Sequence, residues 1–141
     1  MHKTTVMRTI LIAPCGMNCY LCRAYRPDKK YVKPCPGCRA DDDHKSRSCV
    51  TCRIKNCDKI VQDGIKFCFS CEIYPCALLR HLDKRYRTKY EMSMIENLER
   101  IKTNGIRQFI QAEKDKWKCP NCGETICVHK PQCLSCGQEW R

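Results

Sequence analysis

Sixteen of the 141 residues are cysteines, and their spacing decides what chemistry they can do. Five pairs, Cys35/Cys38, Cys49/Cys52, Cys68/Cys71, Cys119/Cys122 and Cys133/Cys136, are C-x-x-C. That spacing lets two thiolates chelate one ion from a tight turn, whereas two cysteines so close seldom act as a long-range disulfide staple. Cys15, Cys19, Cys22, Cys57, Cys76 and Cys127 fall in the same crowded regions. The chemistry expected is the binding of several metal ions.

Disulfides compete with metal for thiols, and redox compartment separates the two. The apolar run Thr9 to Ala13 is too short for a signal-peptide core, and no small-residue cleavage site follows it. No segment approaches the ~20 apolar residues of a transmembrane helix. The expected setting is the cytoplasm, where thiols stay reduced and metals claim them.

The clearest site lies at the C-terminal end. Trp117-Lys-Cys119-Pro-Asn-Cys122-Gly and Cys133-Leu-Ser-Cys136-Gly-Gln-Glu-Trp140 are two C-x-x-C-G knuckles, a zinc-ribbon pattern. Cys119, Cys122, Cys133 and Cys136 are expected to form a closed all-cysteine zinc site, structural because no position is left for water. Cys127 and His129 lie between the knuckles, where Ile126 and Val128 alternate as in a strand, and read as a core cysteine and a packed or surface histidine. Rubredoxins use similar knuckles for iron, but this segment is about half their usual length and lacks much of their aromatic core, so zinc is favoured.

Cys15, Cys19, Cys22, Cys35, Cys38, Cys49, Cys52, Cys57, Cys68, Cys71 and Cys76 are the remaining expected ligands. With one histidine, His44 or His81, they would number enough for three sites. Chain proximity groups Cys19/Cys22 with Cys35/Cys38, and Cys52/Cys57 with Cys68/Cys71, leaving Cys15, Cys49 and Cys76 for a third. Sequence alone does not fix these pairings. Cys15-x3-Cys19-x2-Cys22 also matches the spacing by which radical-SAM enzymes hold a 4Fe–4S cluster, but those enzymes need a barrel and only about 120 cysteine-rich residues follow here. A simpler 4Fe–4S cluster on part of this block is the alternative to zinc. No thiolate with a positioned base stands out, so no catalytic residue is assigned. Asp41–Asp43 read as a solvated acidic loop rather than a hard-cation site.

The elements that must position these thiols are short. Residues 5–13, TVMRTILIA, read as a strand entering the first cysteines. Knuckles and turns follow to Cys76, punctuated by Pro27, Pro34, Pro36 and Gly37. Within them Cys49-Val-Thr-Cys52-Arg-Ile-Lys-Asn-Cys57 repeats as Cys68-Phe-Ser-Cys71-Glu-Ile-Tyr-Pro-Cys76, which predicts two similar knuckles, each running into a helical turn. Leu78, Leu79 and Leu82 predict a helix from Cys76 to about Arg85. Ser93 with Glu96 forms a capping box opening a second helix through Met94, Ile95, Leu98 and Ile101. Asn104-Gly105 ends it, and Ile106, Phe109 and Ile110 mark a third helix ending near Lys116.

Without its cysteines the apolar fraction falls from 43% to about a third, too little for a large core and typical of modules that lean on structural metals. The net charge of +12 divides as +7 over residues 1–76, +5 over 77–118 and 0 over 119–141. Four-thiolate zinc sites are each formally about −2, which discounts the usual inference from high pI to nucleic acid. The stretch Arg80-His-Leu-Asp-Lys84-Arg85-Tyr86-Arg87-Thr-Lys89-Tyr90 still interleaves cations with tyrosines, a composition suited to phosphate contact and base stacking. No finger pattern of cysteine and histidine pairs exists, so sequence-specific DNA readout is not indicated.

The order Ala13-Pro14-Cys15-Gly16-Met-Asn-Cys19-Tyr-Leu-Cys22, Cys35-Pro-Gly37-Cys38-Arg39, Cys52-Arg-Ile-Lys-Asn-Cys57 and Phe67-Cys68-Phe-Ser-Cys71-Glu72-Ile-Tyr-Pro75-Cys76 resembles a family of small cysteine-rich proteins. That family is common in anaerobic bacteria and archaea and is catalogued only as a domain of unknown function. The resemblance covers about residues 10–80, and the helical segment and ribbon look like an extension carried by some members. It implies metal binding, zinc first, and supplies no activity.

The expectation is a small metal-stabilised α+β protein with three parts. These are a cysteine-rich domain at 1–80 built of irregular zinc knuckles, a helical segment at 81–116 and a zinc ribbon at 117–141. The function expected is a non-enzymatic, multi-zinc module docking RNA, the ribosome or an acidic protein through its basic surface, with no membrane partner. The alternative is an iron–sulfur redox or metal-delivery protein of anaerobic metabolism.

Overall fold

Residues 7–23, 25, 35–40, 42, 45 and 47–141 are described by a computed structural model, with Ser48 described in its backbone only. Its regular elements are α1 (Arg47–Val50), α2 (Asp58–Val61), α3 (Ala77–Lys89), α4 (Met94–Asn104) and α5 (Ile106–Lys116), with single 3-10 turns at Thr9–Leu11, Cys19–Leu21 and Cys68–Ser70.

Helical spacing of apolar residues accounts for the three longer helices. In α4, Met94, Asn97, Leu98 and Ile101 are buried at i, i+3, i+4 and i+7, the stripe of an amphipathic helix. Ser93 caps it by accepting the Glu96 N–H at 3.0 Å. The carboxylate of Asp83, on α3, receives the Ser93 hydroxyl at 2.6 Å and the Ile95 N–H at 3.0 Å, so one side chain joins two helices. Burial opposes its ionisation, but these donors and Arg87 at 2.6 Å outweigh it and hold the carboxyl below its ordinary range. α3 runs to Lys89, one turn beyond the expected end at Arg85, and the Arg87–Asp83 pair spans that last turn. Gly105, at φ +88°, breaks the chain between α4 and α5 where a β-carbon would be strained.

The expected strand at 5–13 does not form in its described part. Residues 9–11 make a 3-10 turn, and Ile12 pairs with Asn18 as an isolated bridge that closes the loop carrying Cys15. The physical reason is that the loop folds straight back: the Ala13 N–H donates to the Met17 carbonyl at 2.8 Å, leaving no length for a ladder. Arg39 Nε donates to the Ile12 carbonyl at 2.7 Å. Among the described residues the β component consists of three isolated bridges, Ile12–Asn18, Lys118–Thr125 and Gln132–Glu139.

The loop from Cys15 to Cys22 packs on the helices. Gly16 sits at φ +91°, and a β-carbon there would lie 2.7 Å from the Met94 carbonyl oxygen, so only glycine allows this approach. Asn97 Nδ2 donates to the Gly16 carbonyl at 3.0 Å. One apolar core results, in which Leu11, Ile12 and Leu21 join Leu98, Phe109 and Val128. At its edge the fully buried Glu113 of α5 accepts from Asn18 at 3.3 Å, Arg100 at 3.2 Å and the Trp117 indole at 3.2 Å. That carboxylate ties the first cysteine loop, α4 and the entry to the C-terminal knuckles to one point.

Candidate metal centre

The last helix delivers the chain to the site. Trp117 closes α5 by donating its N–H to the Glu113 carbonyl at 3.0 Å, and the first knuckle begins two residues later. There the Cys119 N–H reaches the Glu124 carbonyl at 2.7 Å, the Gly123 N–H reaches the Cys119 carbonyl at 3.0 Å, and Lys118 bridges Thr125. Fourteen residues on, the pattern repeats. The Cys133 N–H reaches the Gln138 carbonyl at 2.9 Å, the Gly137 N–H reaches the Cys133 carbonyl at 2.9 Å, and Gln132 bridges Glu139. Gly123 and Gly137 hold matching φ values of +79° and +80°, the left-handed turn that the C-x-x-C-G pattern requires. The pseudo-repeat extends to the bonds Ile126 N–H to Trp117 and Trp140 N–H to Pro131.

Two such turns facing each other bring the sulfurs of Cys119, Cys122, Cys133 and Cys136 within 4.8 Å of one another. Cys119 and Cys136 are 3.7 Å apart, and Cys122 and Cys133 are 3.6 Å apart. A tetrahedron with metal–sulfur bonds of about 2.3 Å has an edge of about 3.8 Å, so these four atoms are spaced for a single ion. Donors already favour the thiolate at two of them. The Asn121 amide, 3.5 Å from the Cys136 sulfur, and the Gln138 N–H bring that thiol down to about 6. The Cys136 and Ser135 N–H groups lower Cys133. At Cys122 the Glu124 N–H works the same way, but shielding and the neighbouring sulfurs push the thiol up to about 11. Four thiols this close ionise together only with a cation among them.

The residues between the knuckles have another role. Cys127 is fully buried and outside the four-sulfur group. His129 accepts the Arg23 N–H on Nδ1 at 3.2 Å, which places its ring proton on Nε2, 2.8 Å from the Tyr86 hydroxyl. Burial, with the Arg23 and Arg141 charges, lowers its pKa to about 4. Both nitrogens are engaged, so His129 docks the segment between the knuckles on α3 and the first cysteine loop. The Val128 N–H adds a bond to the Leu21 carbonyl at 2.9 Å.

The eleven earlier cysteines, none of them in a disulfide, fall into two neighbourhoods. In the first, the Cys38 N–H donates to the Cys19 sulfur at 3.4 Å. A thiol–thiol hydrogen bond to the Cys38 side chain, with burial, raises Cys19 against the lowering effect of that N–H, and the same thiol–thiol bond, with Lys45, Lys55 and Arg39, lowers Cys38 to about 7. Cys22 is felt at Cys19, Cys49 at Cys35, and Cys38, Cys68 and Cys52 at the buried Cys15, whose thiol is raised by burial; the Cys68 N–H donates to the Pro14 carbonyl at 2.9 Å, so the two neighbourhoods adjoin there. In the second, Cys57, Cys68, Cys71 and Cys76 line one cavity. Burial, then the charges of Cys76, Cys57 and Cys71, push Cys68 up to about 12. The cavity's fourth cysteine is therefore Cys76 where chain proximity would choose Cys52; Cys52 lies instead on a separate groove with the exposed His81. His44 and the acidic loop residues Asp41 and Asp43 lie outside the described residues.

Sequence reading missed the residues that hold these neighbourhoods in place. Arg39 looks like one more surface cation, yet it donates to the Ile12 and Lys66 carbonyls at 2.7 and 2.6 Å and stacks 4.8 Å over Phe67. Its place directly after Cys38 is the only sequence signal for that role.

Residues 11–81 match the model of a family described as a protein of unknown function (DUF3795). The matched span holds all eleven N-terminal cysteines and ends before the four-sulfur centre. No curated protein and no solved structure matches the chain.

Proposed function

The chain belongs to this family of proteins of unknown function, and from that premise we propose that it is a non-enzymatic zinc module that docks RNA through the basic face of α3. The observation that carries the metal part is the pair of sulfur–sulfur separations of 3.6 and 3.7 Å at the C-terminal centre. An all-sulfur, four-ligand set selects zinc over harder ions, and with no open position it serves as scaffold rather than catalyst. The separations match one ion, which supports zinc over an iron–sulfur cluster at these four residues.

The docking part rests on α3. Leu79 and Asp83 face inward, while Arg80, Lys84, Arg85 and Lys89 are exposed. Among the described residues no carboxylate pairs with these four, whereas Arg87 is committed to Asp83. Each cation released to a phosphate contact lowers the salt slope of binding by about 1 when removed. RNA binding should therefore be measured across salt for the wild type and for Lys84→Ala/Arg85→Ala/Lys89→Ala. Weaker binding with a shallower slope supports the reading. Unchanged affinity and slope refute it and leave an acidic protein as the partner to seek. A brown protein absorbing near ~400 nm would replace the zinc reading with the cluster-bearing one.

A further inference from the structure

We propose that Cys57, Cys68, Cys71 and Cys76 form a second closed centre for one tetrahedral divalent ion of the zinc type, which pins the start of α3 to the cysteine-rich segment. The inference rests on the reading that thiols of this chain hold metal, and it adds a ligand set that sequence proximity does not select.

Among the described residues only the C-terminal four already have their sulfurs within 4.8 Å of one another, so an ion at Cys57, Cys68, Cys71 and Cys76 has to draw these side chains together; three observations point to them. They share one cavity of about 40 Å³, a few water-sized spheres, which is room for an ion and not for an organic ligand. Cys68 and Cys71 lie on a single 3-10 turn closed by the Cys71 N–H to the Cys68 carbonyl at 3.0 Å, the usual form of a chelating C-x-x-C. Cys57 and Cys76 occupy equivalent places in the internal repeat, each the residue before a helix. Neither sulfur accepts a capping hydrogen bond from the helix it precedes. A serine, threonine or aspartate would serve better as a cap, so these two positions hold thiols that their own helices do not use.

The remaining lining offers an ion no competitor. Ile54, Ile60, Ile65, Ile73, Leu78 and Leu79 are apolar. The two polar neighbours are occupied elsewhere: Lys59 pairs with Asp63 and Glu72 at 3.7 and 3.3 Å, and the Tyr74 hydroxyl donates to Glu99 at 2.7 Å. The sulfurs are thus the available ligands, and an apolar wall strengthens thiolate–metal attraction by excluding water. An ion here links α2, the 3-10 turn and the first turn of α3, and so fixes the helix that carries the basic face.

The test uses the full chain purified without oxygen, with bound zinc counted per chain and each cysteine mapped by alkylation and mass spectrometry. In the zinc-loaded wild type, Cys57, Cys68, Cys71 and Cys76 should be protected together and become reactive together as chelator is added. Cys57→Ser/Cys76→Ser should hold one ion fewer than wild type while Cys119, Cys122, Cys133 and Cys136 stay protected, and Cys52→Ser should keep the Cys57–Cys76 set protected. Free reactivity of the four in the zinc-loaded wild type, protection of Cys52 in place of Cys76, or iron with sulfide at these residues would each overturn the proposal. The wild-type mapping needs no variant to fold. Reactivity confined to these four leaves the C-terminal centre standing, whereas reactivity at Cys119, Cys122, Cys133 and Cys136 as well brings down the metal reading itself.

Discussion

Replacing Glu113 by alanine should cost about 3–5 kcal/mol, the loss expected when one partner of a buried, hydrogen-bonded charge network is removed. The structure supplies the reasons. Asn18 and Trp117, which donate to this carboxylate, are 0% and 4% exposed, so water cannot replace the acceptor for either. Two orphaned donors cost about 1–3 kcal/mol each. Arg100 is 24% exposed in its side chain and recovers part of its loss by hydration. A chain of this length loses roughly 3 °C per kcal/mol, so the melting temperature should fall by about 10 °C. Glu113→Gln, which keeps an acceptor without the charge, should fall between alanine and wild type. The assay is urea unfolding in zinc-replete buffer followed by tryptophan fluorescence, with bound metal counted in parallel to separate this effect from ion loss. A cost below about 1 kcal/mol for Glu113→Ala would refute the reasoning that this carboxylate joins the first cysteine loop, α4 and the entry to the C-terminal knuckles.

Three further outcomes are expected. Gly16→Ala should destabilise by about 2–4 kcal/mol in thermal unfolding, because its β-carbon would meet the Met94 carbonyl at 2.7 Å in a left-handed backbone; a neutral substitution contradicts the close packing of that loop on α4. His129 is held near 4 when folded against about 6.5 unfolded, so the unfolded state takes up the proton first as pH falls and stability drops below about 6.5. Between pH 7.5 and 5.5 that loss is about 1 kcal/mol in urea titrations, and it should be absent in His129→Gln; an identical pH slope in the variant would remove His129 from the account. Cys133→Ser/Cys136→Ser should lose one zinc per chain while the helical circular dichroism from α3, α4 and α5 persists. Collapse of the helical signal would show that the helical core depends on that ion.

What the sequence made legible was local. A C-x-x-C-G knuckle carries its own chelating geometry, so the Cys119–Cys136 set could be read from the chain, and the Ser93 cap and the breaks at Gly105 and Lys116 follow from spacing within one helical turn. The grouping of the earlier cysteines could not be read, because it depends on which helix start folds against which turn: Cys76 lines the same cavity as the Cys68 turn, while Cys52 lines another groove. The same holds for His129, whose partners Tyr86 and Arg23 lie 43 and 106 positions away. Arg39, Asp83 and Glu113 look like surface charges in a chain of this composition, and only the tertiary fold turns them into the joints of the cysteine-bearing loops. The run at 5–13 had the residue types of a strand, but among its described residues the pairing is the single Ile12–Asn18 bridge and residues 9–11 fold as a 3-10 turn.

X-ray absorption at the zinc edge on protein purified without oxygen tests the central claim most directly. Zinc bound by sulfur alone, with four ligands at about 2.3 Å, is the expected result. Nitrogen or oxygen in the first coordination shell, or iron in place of zinc, would contradict it.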